Sequence, residues 1–419
     1  MINQIRNIIF KSDFNRNVAK LISGTALASI INFLSLPVLA RIYSVEDFGH
    51  FQLLFSLITI FGVISCLKYE MTLTLPEDKA RSDNLFFVSI LVLTGFTGIL
   101  YIILTGYGRE VLSLYKAEHL IASGKWIAPA VFSLGLYELM NYVFMRNKAF
   151  GKMAKYRVMQ VSLIQASAIF MGLYSPSFEN LIFSFIIGNM VISLLMIVQS
   201  NLSLSNMSLS SMSAAAFSFR KFPMINTPMA LVNTFSMQLP VFMLSVYFSS
   251  EIVGYYMMAS RILTAPMQLI SRSVGRVYYK EAADSIRESK QKVIKIFKNT
   301  IRRVAKIGLI PSIIVIAFAP ILIKWFLGEE WIVVGTFMQI MMPWIFFQFV
   351  NISVSTTFSV VNRQEIGFLL IVISVLLRYT AMNYWHETAI IQITALSIVA
   401  SLFYISYMVS SYIVLRKIK

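Results

Sequence analysis

The sequence has few charged residues and very little cysteine or histidine. Charged residues make up 13% of its 419 positions, against about 25% in a typical soluble domain. The single cysteine, Cys66, excludes a disulfide framework and a cysteine-based metal site. The three histidines lie far apart and form no HExxH pattern, which argues against a zinc site. We therefore expect neither a metal nor a cofactor.

Acidic residues are also scarce. The sequence has 19 Asp and Glu but 36 Lys and Arg, which gives a formal net charge of +17. In a soluble protein this balance would indicate a nucleic-acid partner. However, 57% of the residues are hydrophobic and the mean hydropathy is +0.72, more than a water-facing fold can bury. Membrane proteins collect Lys and Arg in their cytoplasmic loops. The charge therefore predicts membrane topology, and no nucleic acid is expected as a partner.

Long apolar stretches predict an all-α polytopic membrane protein. About twelve of them approach the roughly 20 residues that a helix needs to cross the hydrocarbon. Most basic residues fall in alternate loops, which predicts that both termini are cytoplasmic. The stretches lie at 18–42, 48–67, 85–105, 125–144, 158–174, 180–198, 222–247, 252–274, 307–327, 333–361, 366–385 and 388–415.

A short pattern occurs twice, about half a chain apart. In the first copy Asn32–Pro37 precedes Tyr43–Gly49, and in the second Asn233–Pro240 precedes Tyr247–Gly254. Repeats with the same orientation are related by an axis along the membrane normal, and two such halves can rock about a central site. The pattern predicts two six-helix lobes, 1–199 and 222–419, joined by a cytoplasmic linker at 200–221.

Three charged side chains lie inside the predicted spans, where a charge is costly and usually marks function. They are Glu138 in the fourth span, Arg261 in the eighth and Arg378 in the eleventh. Arginine keeps its charge, and its planar fork suits phosphate, so the arginines predict a cationic cavity for a phosphorylated substrate. The alternatives are a structural Arg–Glu pair or an arginine that snorkels to a headgroup. Glu138 is expected to pair with either arginine or to carry a proton.

Uncharged polar residues follow one face of several spans at helical spacing. In lipid such faces turn towards other helices or towards a wet cavity. Trp344 is expected mainly to pack, with stacking on sugar rings as the alternative. The predicted polar lining of the cavity is Asn32, Asn141, Asn226, Asn233, Gln348 and Asn351.

The segment 276–306 is rich in basic residues and has apolar residues at helical spacing. It predicts an amphipathic linker helix that lies on anionic headgroups, with a regulatory or partner-binding role as the alternative. The apolar face consists of Val293, Ile294, Phe297, Ile301 and Val304.

Three motifs resemble a known family. Leu39–Phe51 (LARIYSVEDFGHF) followed by Leu67–Pro76 (LKYEMTLTLP) resembles the N-terminal signature of bacterial oligosaccharide-lipid flippases. These are the O-antigen and capsule repeat-unit translocases of the multidrug/oligosaccharidyl-lipid/polysaccharide exporter superfamily. Gly254–Arg261 (GYYMMASR) is similar to the eighth-helix arginine motif shared with the peptidoglycan-precursor flippase.

The resemblance implies a flippase of polysaccharide or lipopolysaccharide biosynthesis in the bacterial cytoplasmic (inner) membrane. Its substrate would be an undecaprenyl-diphosphate-linked oligosaccharide, carried by alternating access between two six-helix lobes in a V around a cationic cavity. Arg261 would hold the diphosphate, whereas Arg378 is placed there by its depth in the span. The implied partners are the lipid bilayer and the polymerase and chain-length regulator of the same pathway.

Two alternatives to a flippase stay open. A multidrug exporter of the same fold would need an acidic cavity for cations, and two arginines against one glutamate in the spans argue against it. A polytopic polysaccharide polymerase or glycosyltransferase would show a large outer loop, and the short loops argue against that. The protein is therefore predicted to be a transporter and not an enzyme.

Overall fold

The computed structural model describes residues 13–108, 110, 121–200, 202, 208–286 and 289–417. Within these residues the chain is nearly all helical and contains no β-strand, which confirms the predicted all-α class. Shorter helical turns lie at Tyr69–Thr74, Ile121–Gly124, Phe222–Asn226, Glu329–Trp331 and Thr357–Val360. The longer helices are α1 (Asp13–Ile42), α2 (Val45–Ile64), α3 (Lys79–Gly106), α4 (Ile127–Arg146), α5 (Phe150–Tyr174), α6 (Phe178–Val198), α7 (Leu209–Ser218), α8 (Thr227–Tyr247), α9 (Ser250–Ser285), α10 (Lys290–Leu327), α11 (Ile332–Ile352), α12 (Gln364–Tyr384) and α13 (Ala389–Lys417).

Ten helices among the described residues are long and apolar enough to cross a membrane, as expected for a multi-pass membrane protein. Each predicted stretch overlaps a helix, but α5 and α9 are not among the ten. Charged residues lower their hydropathy, including Arg157 in α5 and Arg261 in α9. The count of twelve stays a prediction. So does the side of the termini, because 1–12 and 418–419 lie outside the described residues.

The chain divides into two compact units, Met1–Gln238 and Leu239–Lys419. The division falls within α8, whereas the sequence predicted a linker at 200–221. That stretch contains α7, which packs on α3 and buries Met212 and Ala215. Part of the predicted linker (201 and 203–207) lies outside the described residues, and the predicted lobe boundaries stay predictions.

In the first unit, α1 packs against α5, and α4 packs against α2, α3 and α6. The start of α2 is fixed by a capping box. Ser44 Oγ accepts the amide of Asp47 at 3.0 Å, and the Asp47 carboxylate accepts the amide of Ser44 at 3.1 Å. The same carboxylate accepts the amide of Phe178 at 2.9 Å. One aspartate therefore ties the start of α6 to the start of α2.

The repeated pattern forms the same local structure in both halves of the chain. Pro37 lies inside α1 and Pro240 inside α8, and each helix is followed by a short connection to the next. Ser44 and Ser249 occupy the N-cap positions of α2 and α9, although the side chain of Ser249 makes no capping hydrogen bond. Similar residues thus build a similar helix–turn–helix at the start of each half.

In the second unit, α10 and α11 cross closely at Pro320. Proline has no amide hydrogen, so the carbonyl of Ile316 loses its normal helical donor. Nε2 of Gln339 donates to that carbonyl at 2.6 Å. A Cβ at Gly335 would overlap the Cα and nitrogen of Pro320, so this approach needs glycine. Lipid offers no replacement donor, and the glutamine therefore stabilises the crossing.

The basic segment forms the second part of α9 and the first part of α10, apart from 287–288, which lie outside the described residues. The α10 helix has 38 residues. Its length of about 57 Å exceeds the hydrocarbon thickness of about 30 Å. Val293 and Phe297 are at most 2% exposed and pack with Tyr278 of α9 and Leu415 of α13. Protein therefore covers this part of the apolar face, and contact of the segment with anionic headgroups stays a prediction.

Candidate substrate-binding site

Arg378 is the most enclosed of the predicted charged residues in the second unit, with 5% of its surface exposed. Its Cζ lies 5.4 Å from the ring centroid of Phe403 and 6.0 Å from those of Trp344 and Tyr404. These rings come from α11 and α13, which pack against each other, and α13 also packs against α12. The packing of three helices therefore surrounds one guanidinium with aromatic rings.

The Arg378 guanidinium has no carboxylate within ion-pair distance in the described part of the chain. Its Nε is buried and makes no hydrogen bond there. Each ring contact stabilises the charge by about 0.5–2 kcal/mol, whereas removing an ion from water costs several kcal/mol. Arginine does not deprotonate in proteins, so the positive charge persists. The buried guanidinium of Arg378 therefore favours an anionic ligand.

Other buried polar atoms on α11 and α12 have no hydrogen-bond partner among the described residues. They are Nε1 of Trp344, Oδ1 of Asn351 and Oγ of Ser374. The indole N–H is a donor only, so it adds a second unfilled donor on a ring that contacts Arg378. Ser374 lies one helical turn before Arg378 on the same face of α12. Arg378 and Trp344 are therefore in contact, whereas a shared site with Asn351 stays a prediction.

Arg261 lies on α9 and is half-buried. Tyr256, five residues earlier on α9, is 5% exposed and interacts electrostatically with Arg378. The α9 helix therefore runs close to the aromatic enclosure of Arg378. A joint role of Arg261 and Arg378 at one ligand stays a prediction.

In the first unit, Glu138 of α4 is exposed, and the cations that act on it electrostatically are Arg157 and Lys68. Nζ of Lys68 lies 3.4 Å from Oε1 of Glu70, whose exposure is 7%. Burial raises the pKa of the Glu70 carboxyl group, and the charge of Lys68 partly opposes this rise. Glu138 thus has cationic neighbours in its own unit, and its pairing with Arg261 or Arg378 stays a prediction.

A chain of hydrogen bonds fixes the position of Arg157. Its Nη1 donates to Oε1 of Gln160 at 2.7 Å, and Nε2 of Gln160 donates to Oδ1 of Asn189 at 2.6 Å. Gln160 and Asn189 are buried, so these bonds form where water does not compete. They connect α5 to α6 and hold a cation near Glu138.

Arg146, at the end of α4, organises the loop that follows the Glu70 turn. Arginine has five N–H donors in a fixed plane, which lets one side chain bind several carbonyls. This arrangement ties the end of α4 to the start of α3. The acceptors are the backbone carbonyls of Leu73 at 2.9 Å, Pro76 at 2.6 Å, Glu77 at 3.3 Å and Asp78 at 3.1 Å.

We expect Arg146→Gln to lower the stability of the first unit by about 2 kcal/mol, because a charged donor is lost and several carbonyls lose their partner. The measurement is the temperature at which the buried thiol of Cys66 becomes reactive in detergent. Lys155→Gln is the control, because this substitution also removes one positive charge and Lys155 is exposed on α5. An equal shift in both variants would show that the carbonyl contacts contribute nothing.

The other predicted lining residues have mixed positions. Oδ1 of Asn32 accepts Nε2 of Gln165 at 2.7 Å, so it contributes to the α1–α5 contact. Nδ2 of Asn141 donates to the carbonyl of Tyr137 at 3.0 Å within α4. Asn226 and Gln348 are half-buried, and Asn233 is exposed. Their role in a cavity stays a prediction.

Several of these site residues were not predicted from the sequence. Phe403 and Tyr404 carry no signal that separates them from ordinary packing aromatics. Lys68 and Glu70 stand within a motif that resembles the family, but the sequence predicts only a loop there and not their ion pair. Arg157 was also placed in a loop, although α5 begins at Phe150 and Arg157 lies two turns inside it.

The chain is similar to a known protein family and to several solved membrane-protein structures. A family model described as "Polysaccharide biosynthesis protein" matches residues 38–335, which include Glu138 and Arg261. No curated protein matches the chain. Among solved structures, the lipid II flippase MurJ in an inward closed conformation matches with a TM-score of 0.75 at 14% identity, over 94% of this chain and 89% of that one.

Multidrug transporters have the same fold. An inward-facing MATE family transporter of the MOP superfamily matches with a TM-score of 0.65 at 12% identity, over 94% of both chains. The eukaryotic MATE transporter AtDTX14 matches with a TM-score of 0.60 at 13% identity, over 97% of both. At these identities the matches show that the chain shares the fold of these flippases and transporters. They do not show that it shares their substrates. Since the family model matches more than half of its residues, the chain belongs to the polysaccharide biosynthesis protein family, with a MurJ- and MATE-like membrane fold.

Proposed function

We propose that the protein is a flippase for an undecaprenyl-diphosphate-linked oligosaccharide, an O-antigen or capsule precursor, in the bacterial cytoplasmic membrane. It works by alternating access, with Arg378 and Arg261 as the diphosphate-binding residues. The observation that carries the proposal is the Arg378 guanidinium, enclosed by three aromatic rings without a carboxylate partner in the described part of the chain. Family membership supports a role in polysaccharide biosynthesis.

The chemistry of Arg378 favours an anionic ligand. A guanidinium binds phosphate through two parallel N–H···O bonds, which makes it a better partner for a diphosphate than for an isolated charge. The residue is 5% exposed and its Nε is buried. A ligand would therefore bind the terminal nitrogens of the side chain. The rings lie 5.4 to 6.0 Å from Cζ, and the terminal nitrogens supply the N–H donors for such bonds. A cationic drug would be repelled at this position.

The test is translocation of the lipid-diphosphate oligosaccharide in proteoliposomes, followed by exposure of the glycan to an enzyme outside the vesicles. We expect protein-dependent exposure that Arg261→Ala abolishes while the variant remains folded. Arg363→Ala is the matched control, because this arginine is exposed at the start of α12 and pairs with Glu365 at 3.5 Å.

Each alternative function predicts a different result in this assay. Efflux of a cationic dye without glycan exposure would indicate a multidrug exporter. Lengthening of the glycan without translocation would indicate a polymerase or glycosyltransferase. Full translocation by folded Arg261→Ala protein would remove Arg261 from the site.

A further inference from the structure

We propose that the basic end of the second unit binds the phosphate groups of anionic phospholipids, with Lys298 and Arg416 as its anchor. The basic end is defined as the second part of α9 from Arg272, the first part of α10 to Lys306, and the end of α13 from Tyr412. This proposal does not depend on the translocated substrate.

The basic end presents a strong surplus of positive charge. Its exposed acidic residues within the described part are Glu281 and Asp284. Neither of these two carboxylates forms an ion pair with Lys298 or Arg416. The exposed cations include Arg276, Lys280, Lys295, Lys298, Arg302 and Arg303. A surface of this composition attracts anions over the distance of a Debye length, about 8–10 Å.

The apolar face of this region is not available to lipid. Val293 and Phe297 are packed against Tyr278 and Leu415 inside the protein, and Val304 packs against Phe349. An amphipathic helix that enters the membrane needs a free apolar face. Contact with a bilayer must therefore occur through the exposed charges and the headgroups.

Two cations converge on one ring at the base of this surface. Nζ of Lys298 lies 5.0 Å from the ring centroid of Tyr412, and Cζ of Arg416 lies 5.8 Å from the same centroid. The ring of Phe297 lies nearly parallel to that of Tyr412, at 18° and 6.4 Å. Because both cations contact one ring, they lie within about 11 Å of each other and repel each other. Neither cation has a carboxylate within ion-pair distance among the described residues, so a phosphate bound beside this ring relieves the repulsion.

The position of the charges selects a lipid as the source of the phosphate. Lys306 is followed directly by the apolar stretch of α10, from Ile307 to Leu327, which belongs to a candidate membrane span. The cations of α10 therefore begin where the hydrocarbon ends. Basic clusters next to a membrane span gain about 1 kcal/mol per residue from anionic headgroups, which corresponds to about a fivefold preference.

The experiment uses the full chain in bilayers of phosphatidylcholine and phosphatidylglycerol. Electron paramagnetic resonance of spin-labelled lipids measures which headgroup the protein retains at its surface. We expect wild-type protein to prefer phosphatidylglycerol. The preference should fall up to about fivefold for each charge removed in Lys298→Gln/Arg416→Gln. Arg416→Lys keeps the charge and should keep most of the preference.

The matched control is Lys280→Gln/Lys295→Gln, which removes two exposed cations of the same surface that do not contact the Tyr412 ring. A smaller loss in this control supports the anchor, and an equal loss overturns it. Absence of any preference in the wild type overturns the whole proposal. Displacement of phosphatidylglycerol by glycerol phosphate at constant ionic strength would assign the site to a soluble phosphate instead. None of these readouts depends on translocation, so failure here is distinguishable from failure of the flippase.

Discussion

Arg378→Met is expected to reduce protein-dependent translocation about a hundredfold, to near the rate without protein. Loss of one partner in a buried, hydrogen-bonded charge pair costs about 2–5 kcal/mol. Among the described residues, Arg378 is the cation that contacts these three rings, so no second cation there replaces it. Methionine keeps an unbranched chain that fills the space between aromatic rings. Translocation in proteoliposomes, normalised to folded protein, measures the effect.

Stability separates this functional role from a structural one. Replacing a buried unpaired charge by an apolar side chain is often neutral or stabilising. We therefore expect the thermal unfolding temperature of Arg378→Met to be unchanged or raised while translocation is lost. Arg378→Lys keeps the charge but loses the planar fork, so it should retain partial activity. Unchanged translocation by folded Arg378→Met would contradict the assignment.

Gly335→Ala should have the largest effect on stability, a loss of about 3 kcal/mol. The added Cβ meets backbone atoms of Pro320, and no rotamer change removes such an overlap. The helices α10 and α11 would have to separate, which also weakens the bond from Gln339 to the carbonyl of Ile316. Thermal unfolding in detergent, followed by size-exclusion chromatography, measures the change.

Gly95→Ala is the matched control for this substitution. Gly95 lies inside α3, and a Cβ there would meet nothing within 4 Å. Alanine in a helix is favoured over glycine by about 1 kcal/mol, so this variant should be as stable as the wild type or slightly more stable. Equal effects at the two positions would show that the contact at Pro320 is not limiting.

The fold class follows from the sequence because long apolar stretches have few alternatives to membrane helices. The helices α5 and α9 stay outside the ten because their charged residues lower their hydropathy below that of the other predicted spans. The depth of Arg378 in its span was visible in the sequence. Its enclosure was not, because periodicity identifies a helical face but not the rings that another helix brings to it.

Two further features of the structure could not be predicted from the sequence for the same physical reason. Val293 and Phe297 show the spacing of a helix with one apolar face, and that spacing is the same whether lipid or protein covers the face. The sequence predicts only a loop at Lys68, and in the structure Lys68 lies in the connection between α2 and α3. The backbone there is left-handed at Leu67 and Lys68, with φ of 48° and 61°, and this brings Lys68 within 3.4 Å of Glu70. Such a turn of two non-glycine residues has no sequence signature.

The crossing at Pro320 constrains the order in which its residues can be replaced during evolution. If Pro320 is replaced first, the new amide hydrogen can bind the carbonyl of Ile316, and Gln339 then becomes free to vary. If Gln339 is replaced first, the carbonyl remains without a donor inside a membrane span, at a cost of about 1–3 kcal/mol. A lineage can therefore pass through glutamine without proline, but proline without a side-chain donor is a costly intermediate.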